Sequence, residues 1–455
     1  MCIRHSPSPT AHPRHGRRSG GGGTRAHPAA GGPWHAGHAR TARGVEPDVS
    51  DTAGAPGGSG AASAPDPGAG ASATGSGLRR RRGRRRRRVA GLAVCAVLLA
   101  AAGAGWAVYA KLEGNITPDE AAAAELARYE KERPAPLVRG ARNILLIGSD
   151  TRAGEGNARY GRDSGTARSD TTILLHLAAD RRSATAISVP RDLMVHVPGC
   201  RRADGSRAAA VFAMFNHAYQ TGGSACTIRT VEKLTGIRVD HHVVVDFHGF
   251  KEMVDAVDGV RVCLREPIDD KAAGLRLPAG RVTLDGEQAL GYVRARKTLG
   301  DGSDTGRMER QQRFLGALVD KVQSNGVLLN PVKLYPLLDA ATSSLTTDPG
   351  LASLRGLYRL ARALRGIPAE RVRFLTVPRE SYARDANRDQ LVEVEAEKLF
   401  ERLRRDEPVA VAAGDYGAYG RDSGKSREMP PGEPPRSSSP APTFSGNTAA
   451  EDGCA

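Results

Sequence analysis

The sequence predicts an α/β fold, a layered α/β/α domain on a central mixed sheet, preceded by one transmembrane helix. Three observations lead there. Short, nearly continuous apolar runs such as Asn143–Ile147 and Ala184–Val189 have the length and composition of strands covered on both faces. Longer stretches with apolar residues at helical spacing lie between and after them, the mixture that gives layered α/β domains. Upstream stands an uncharged run, Val89 to Ala110, directly behind an arginine block.

Residues 1–88 come first. Gly, Ala, Pro, Ser, His and Arg dominate them, and so little apolar surface cannot offset chain entropy, which predicts a disordered, Arg-rich tail. The tail holds sixteen Arg, no Lys and four acids, a net of +12, so only +4 of the chain's +16 belongs to everything after Arg88. Nucleic-acid binding calls for a basic face on the folded part, and that part is near charge balance, so no nucleic-acid partner is expected. Residues 89–110 are long enough to cross ~30 Å of hydrocarbon as a helix. Trp106 and Tyr109 sit at the far end, where amphipathic rings favour the interface. The block Arg79–Arg88 fixes the N-terminus in the cytoplasm by the positive-inside bias, so the single-pass chain presents Lys111 onward outside the cell membrane. A cleaved signal peptide fits less well, because the run is long and no small-residue cleavage site follows Tyr109.

Residues 111–140 read as a stalk. Thr117-Pro118-Asp119-Glu120 has the form of a capping box with Pro at the first helical position, opening a helix to Arg133 that Pro134 and Pro136 end. Residues 141–405 read as one large folded domain. Its strands are predicted at Asn143–Ile147, Thr171–Ala178, Ala184–Val189, Val243–Phe247 and Val260–Val262. Helices are predicted at Thr227–Leu234, Arg307–Gln323, Val332–Ala341, Leu351–Leu364 and Gln390–Leu403. Residues 406–455, with runs such as Pro430–Pro435, read as a second disordered tail. Cys200 and Cys226, both outside the membrane and beside turn formers, could pair and clip a loop, whereas Cys263 in its apolar run reads as a buried thiol.

Four segments put charge where a purely structural reading expects neutral residues: Gly148-Ser149-Asp150-Thr151-Arg152, Arg168-Ser169-Asp170-Thr171, Pro190-Arg191-Asp192, and Val293–Lys297 through Arg307 and Gln311. Strand ends in α/β sheets are where ligands bind. At strand spacing Arg294 and Arg296 share a face, about 6–7 Å apart, which suits the two phosphates of a pyrophosphate. Arg307 and Gln311 lie one helical turn apart, with Phe314 and Leu318 extending the stripe inward. Asp150 and Asp170 supply hard oxygens of the kind Mg²⁺ uses beside phosphates. Taken singly, each feature is more often a turn former, a solvated edge or a surface pair; their concurrence is what points to chemistry. No His-Glu-x-x-His, Cys-x-x-Cys, Gly-x-Ser-x-Gly or Gly-Lys-Ser/Thr motif is present, and the histidines, including His241, His242 and His248, have no ligand spacing.

At these residues the chain resembles the LytR-CpsA-Psr family of cell-wall glycopolymer transferases. The blocks are Asn143 to Arg152, Arg168 to Thr172, Ile187 to Asp192, Asn216-His217-Ala218-Tyr219 with Gly222-Gly223, Val245 to Phe250, Val254 to Val260, Leu284-Asp285-Gly286, Tyr292 to Lys297 and Gly306 to Gln312. Any one block is weak; their joint order is specific. The resemblance implies transfer of a glycopolymer from a polyprenyl-pyrophosphate carrier to a peptidoglycan hydroxyl, giving a phosphodiester, with a hydrophobic cavity for the polyprenyl tail. It implies Asp150 and Asp170 as ligands of Mg²⁺ or Mn²⁺, and Arg168, Arg191, Arg294, Arg296, Arg307 and Gln311 as the catalytic pyrophosphate cradle. Arg152, Asp192 and Arg310 fall beside the substrate, Asp192 as a candidate base. The same site could serve a polyprenyl-pyrophosphate hydrolase, and relatives have been labelled membrane-bound transcriptional regulators, for which residues 1–88 offer no helix-turn-helix. Asp258 stands where the family motif often has a second Gly, a change expected to alter a turn.

Overall fold

The structure is a computed structural model; it describes residues 76–136, 138–150, 169–271, 273–295, 304–324, 331–412 and 443–451. The first element is the helix α1 (Ser76–Asn115). Its portion Arg85–Asn115 is long and apolar enough to cross a membrane, and its apolar stretch is not buried against protein.

From there the chain runs β1 (Thr117–Pro118), α2 (Glu120–Arg128), β2 (Arg142–Ser149), β3 (Ser169–Leu177), β4 (Ala184–Val189), β5 (Met194–Val197), β6 (Val211–Met214) and α3 (Asn216–Thr235). It continues through β7 (His241–Val245), α4 (Phe247–Ala256), β8 (Val260–Leu264), β9 (Ile268–Asp270), β10 (Leu275–Leu277), β11 (Gly280–Leu284), α5 (Gly286–Arg294), α6 (Asp304–Ser324) and α7 (Pro331–Ser344). The last part is β12 (Leu345–Thr347), α8 (Leu354–Arg365), β13 (Val372–Thr376), β14 (Arg379–Tyr382), β15 (Asp385–Leu391), α9 (Glu393–Arg404), β16 (Ala410–Ala412) and β17 (Thr443–Thr448).

Among the described residues the main sheet has the order β1-β12-β7-β2-β3-β4-β13-β17-β16. It is mixed: β3 is antiparallel to both β2 and β4, while β7 runs parallel to β2 and β13 parallel to β4. The reason is visible in β4, where all six residues are buried, as expected for a strand covered on both sides. Alternate residues feed two cores. Leu145, Ile147, Leu174 and Ile187 pack with α2, α3 and α9 on one face. Ile144, Ile173, Ala186 and Phe374 pack with α6 and α8 on the other. The predicted α/β/α layering is therefore what forms. A third cluster joins α4, α5 and Phe314 of α6 to the β8–β11 hairpin.

The expected stalk is part of the domain. Thr117 and Pro118 pair with Thr346 and Thr347, so Asp119, not Thr117, caps α2, accepting from the Ala122 amide at 3.0 Å. Leu112, Ile116, Ala122 and Leu126 are buried. Two further ties hold this segment: Arg133 forks onto the buried Glu232, and Asp119 meets the buried His242 at 3.1 Å. His241 pairs with Asp348 next door, so both histidines serve the fold. The folded part also runs past residue 405. Asp406 binds the buried His176 at 2.9 Å, and β17 inserts beside β13 with Phe444 and Ala449 buried. Gly446 is required there, since a Cβ would lie 2.4 Å from the Phe374 carbonyl oxygen.

Cys200 and Cys226 form a disulfide, clipping the loop before β6 to the middle of α3. Gly222, at the kink that divides α3, accommodates it: a Cβ would lie 2.9 Å from the Cys226 Cβ. Cys263 differs from expectation. It is half-buried and disulfide-bonded rather than a buried thiol, its partner lying outside the described residues. Asp258 adopts φ 59°, in the left-handed region that Gly favours and Asp tolerates, so the departure from the family pattern preserves the turn.

Two outcomes follow. Phe444→Ala should lower unfolding stability by about 3–5 kcal/mol in a denaturant titration, where a disordered tail would show no change. Burial works against the Asp119 carboxylate, but hydrogen bonds from His242, the Ala122 amide and Ser224 outweigh it and hold the carboxyl below its ordinary value of 3.8. The unfolded chain then takes up the proton first on acidification. This contribution is complete above the ordinary value and is lost as pH falls through the folded one, so Asp119→Asn should flatten the acid limb of a stability–pH curve.

Candidate functional site

Because β2, β4, β7 and β13 point the same way and β3 opposes them, five charged segments converge on one edge of the sheet. These are Asp150 after β2, Asp170 at the start of β3, Arg191-Asp192 after β4, Asp246-Phe247 after β7 and Arg379 after β13. Asp170 owes its position to a bulge: Gly148 pairs with Thr171 but Ser149 pairs with Ser169, leaving Asp170 as the extra residue. Bulges re-aim a side chain beside active sites.

Arg191 is the centre of the row. Its Nη1 donates to Asp170 Oδ1 at 3.0 Å and its Nε to Asp192 Oδ2 at 3.1 Å, so one half-buried guanidinium joins two carboxylates. The other Asp192 oxygen faces Arg388 Nη1 at 3.5 Å, and Arg388 Nε faces Asp385 at 3.6 Å. With both its oxygens facing guanidinium groups, Asp192 positions Arg191 and Arg388.

Arg294 reaches the same edge from a different element than expected. It is the last residue of α5, a helix started by a full capping box of Asp285 and Gln288, and its guanidinium lies 4.4 Å from the Phe247 ring centroid. Arg294 is therefore helical rather than part of a strand, with Ala289 and Tyr292 buried one turn apart on the same helix. The α6 helix behaves as predicted. Met308 and Phe314 are buried, and its opening turns carry the buried Arg307 and Arg310. Gln311 donates to the Val293 carbonyl at 3.2 Å and Arg310 to the Ala295 carbonyl, so α6 grips the end of α5. Gln312, fully buried, ties α6 to the sheet through Ser188 and Thr376. Arg152, Arg168 and Arg296 lie outside the described residues.

Some contributors carried no sequence signal as site residues. Asn216 donates its amide to the Arg191 carbonyl at 3.0 Å, and its buried Oδ1 has no hydrogen-bond partner among the described residues. Tyr219, half-buried, bonds to Ser149; burial first, and then the Asp119 and Asp150 carboxylates, push its phenol above the ordinary range against the pull of that bond. Arg379 and Arg388 come from the β14–β15 hairpin. The block Asn216–Tyr219 was the only hint of any of these.

Asp150 and Asp170 are the residues that could hold a divalent cation. No group of three or more His, Cys, Asp or Glu side chains gathers among the described residues. A pair of carboxylates does fit Mg²⁺, which takes one or two of them and completes its shell with water and substrate phosphate oxygens. A cavity of about 330 Å³ lined by Asp240, His241, His242 and Asp348 sits at the start of β7, the opposite edge of the sheet, and belongs to the ion pairs that hold α2.

Fold and edge together define a mixed-sheet α/β protein with a charged site at its strand ends. Residues 111–405 match the LytR_cpsA_psr family model, and the chain belongs to that family. A probable cell wall biosynthesis protein of Corynebacterium glutamicum, LcpB, is 40% identical over 248 residues, 53% of this chain and 55% of that one. LcpA of the same organism, a cell wall biosynthesis protein, is 37% identical over 266 residues, 52% and 50% of the two chains. The polyisoprenyl-teichoic acid–peptidoglycan teichoic acid transferase TagU of Halalkalibacterium halodurans is 31% identical over 254 residues, 53% of this chain and 76% of that one. The chain spans about half the length of the two Corynebacterium relatives. The crystal structure of B. subtilis TagV aligns with 59% of this chain and 98% of its own at 25% identity and a TM-score of 0.46.

The Arg191 bridge is open to direct measurement. A double-mutant cycle of Arg191→Ala with Asp170→Ala should give a coupling energy of about 0.5–1 kcal/mol in urea unfolding. Arg191→Lys should recover less than half of it, because an ammonium lacks the fork that spans two carboxylates.

Proposed function

We propose that the protein transfers a glycopolymer from a polyprenyl-pyrophosphate carrier to a peptidoglycan hydroxyl. The observation that carries this reading is the convergence of Arg191, Arg294, Arg307 and Gln311 with Asp150 and Asp170 at one sheet edge, in a chain of this family. In the reaction the acceptor oxygen forms a new bond to the glycopolymer-bearing phosphorus, the bridging bond to polyprenyl phosphate breaks, and the hydroxyl proton leaves to a base. Arg191 and Arg294 hold phosphate oxygens by charge-assisted hydrogen bonds, and the Asp170–Arg191–Asp192 row keeps Arg191 from swinging to water. Arg307 and Arg310, buried in the opening turns of α6, place positive charge where the leaving phosphate gains its negative charge. Asp150 and Asp170 would hold Mg²⁺ or Mn²⁺, which when bound neutralises charge on the phosphates. The polyprenyl tail would run along the partly exposed apolar side chains Phe250, Val293 and Leu318 beside Arg294.

The domain faces outside the cell, with α1 as its anchor and the arginine block cytoplasmic. The Cys200–Cys226 disulfide supports this side, since such bonds persist where the environment is oxidising.

The test incubates the domain from Lys111 onward with a polyprenyl-pyrophosphate oligosaccharide, Mg²⁺ and peptidoglycan fragments. Acceptor-dependent sugar transfer with release of polyprenyl phosphate is expected, falling about 10²–10³-fold in Arg294→Ala and in Asp170→Ala, and abolished by chelation of divalent cations. Release that ignores the acceptor would make the protein a hydrolase. Lipid binding without turnover would make it a binding or regulatory protein.

A further inference from the structure

Two hairpins flank the site on the face of the sheet away from α6, and both present aromatic rings. On β5, Val195 and Val197 point into the core with Leu391 of β15, so the residue between them, His196, points out. Phe212 stands opposite His196 in the β5–β6 register, their ring centroids 4.9 Å apart, and the phenyl is 44% exposed. Tyr382, from β14, lies 6.2 Å from Phe212. Rings from two separate hairpins thus form one outward strip.

The strip is continuous with the site. Asp389 of β15 donates its amide to the Asp192 carbonyl at 3.2 Å, and Arg379 pairs with Asp389. The alternating row Asp170–Arg191–Asp192–Arg388–Asp385 ends opposite Tyr382 in the β14–β15 register. We propose that His196, Phe212 and Tyr382 form a saccharide subsite that seats the acceptor glycan, an assignment that rests on the transfer reading above.

The chemistry favours a sugar. An aromatic face carries partial negative charge and attracts the polarised C–H bonds of a pyranose ring, while hydroxyls need the mixed donors and acceptors that Arg388, Asp385 and Asp192 set beside the rings. Acyl chains would have to lie against those same charges. The position favours the acceptor over the donor. Arg307, Arg310 and Gln312 belong to α6, which packs on one face of the sheet, and the two hairpins belong to the layer on the other. Phosphoryl displacement needs attacking and leaving oxygens roughly in line. A hydroxyl brought in along the ring strip meets phosphorus from the side opposite the α6 arginines.

The test compares full-length wild type, Phe212→Ala, Tyr382→Ala, the double variant and Phe212→Tyr in detergent micelles. Acceptor KM, donor KM and kcat are measured with a soluble peptidoglycan oligosaccharide, and retention on purified sacculi is measured without donor. The double variant should raise acceptor KM and weaken sacculus retention about tenfold or more, with donor KM within about twofold and Phe212→Tyr near wild type. Unchanged acceptor KM and retention would overturn the assignment. A rise in donor KM in their place would also overturn it, by giving the strip to the donor. If wild type performs no transfer, the transfer reading fails alone, and the retention assay still decides the strip.

Discussion

A single guanidinium bridging a carboxylate at the start of β3 and one in the turn after β4 organises the edge of this sheet. Arg191 cannot reach Asp170 unless β3 and β4 are in register and the bulge at Asp170 is in place, while Asp192, its chain neighbour, holds the other side of the guanidinium. Conversely, two carboxylates so close would repel without the charge between them. The ion pair is half-exposed, so it contributes little to global stability. Its value is geometric: it fixes where positive charge is presented, and Arg388 extends that order outward to a hairpin the sheet itself does not include.

The sheet that holds this edge was legible where burial leaves a simple pattern. The strands at Asn143, Thr171 and Ala184 are read from apolar runs because both faces are covered, and the α6 stripe is read from its 3.6 period. Reading failed where local pattern and context disagree. Val293-Arg294-Ala295-Arg296 alternates like a strand, but Asp285 and Gln288 start a helix eight residues upstream and Tyr292 is buried on it. Thr443–Thr448 contains one large apolar residue and follows a Pro-rich stretch; only pairing with β13 makes it a strand. The stalk was misread for the same reason, since Thr117 and Pro118 form a strand only through β12.

Asp170, Arg191 and Asp192 stood out in the sequence because charge recurs at several strand ends together, which turn formation at any one of them does not explain. Arg294, Arg307 and Gln311 stood out as a cluster, although through a wrong local geometry for the first. Asn216, Arg388 and the ring strip gave no such signal. Each is an ordinary residue type, and its meaning comes from topology: α3 returns beneath Arg191, and β15 returns beside Asp192. Sequence spacing does not encode those returns.

The position of β17 also sets an order of events for a chain made from its N-terminus. It lies between β13 and β16 in the main sheet, although some thirty residues separate it from β16 along the chain. Until residues 443–448 have been synthesised and delivered to the same compartment, β13 presents an open edge and β16 has no strand to join. Open edges invite pairing with other chains and attack by proteases. The fold therefore carries its own check on completeness: a chain interrupted before Thr443 is marked by an unfinished sheet, even though every charged residue of the strand-end row has already been made.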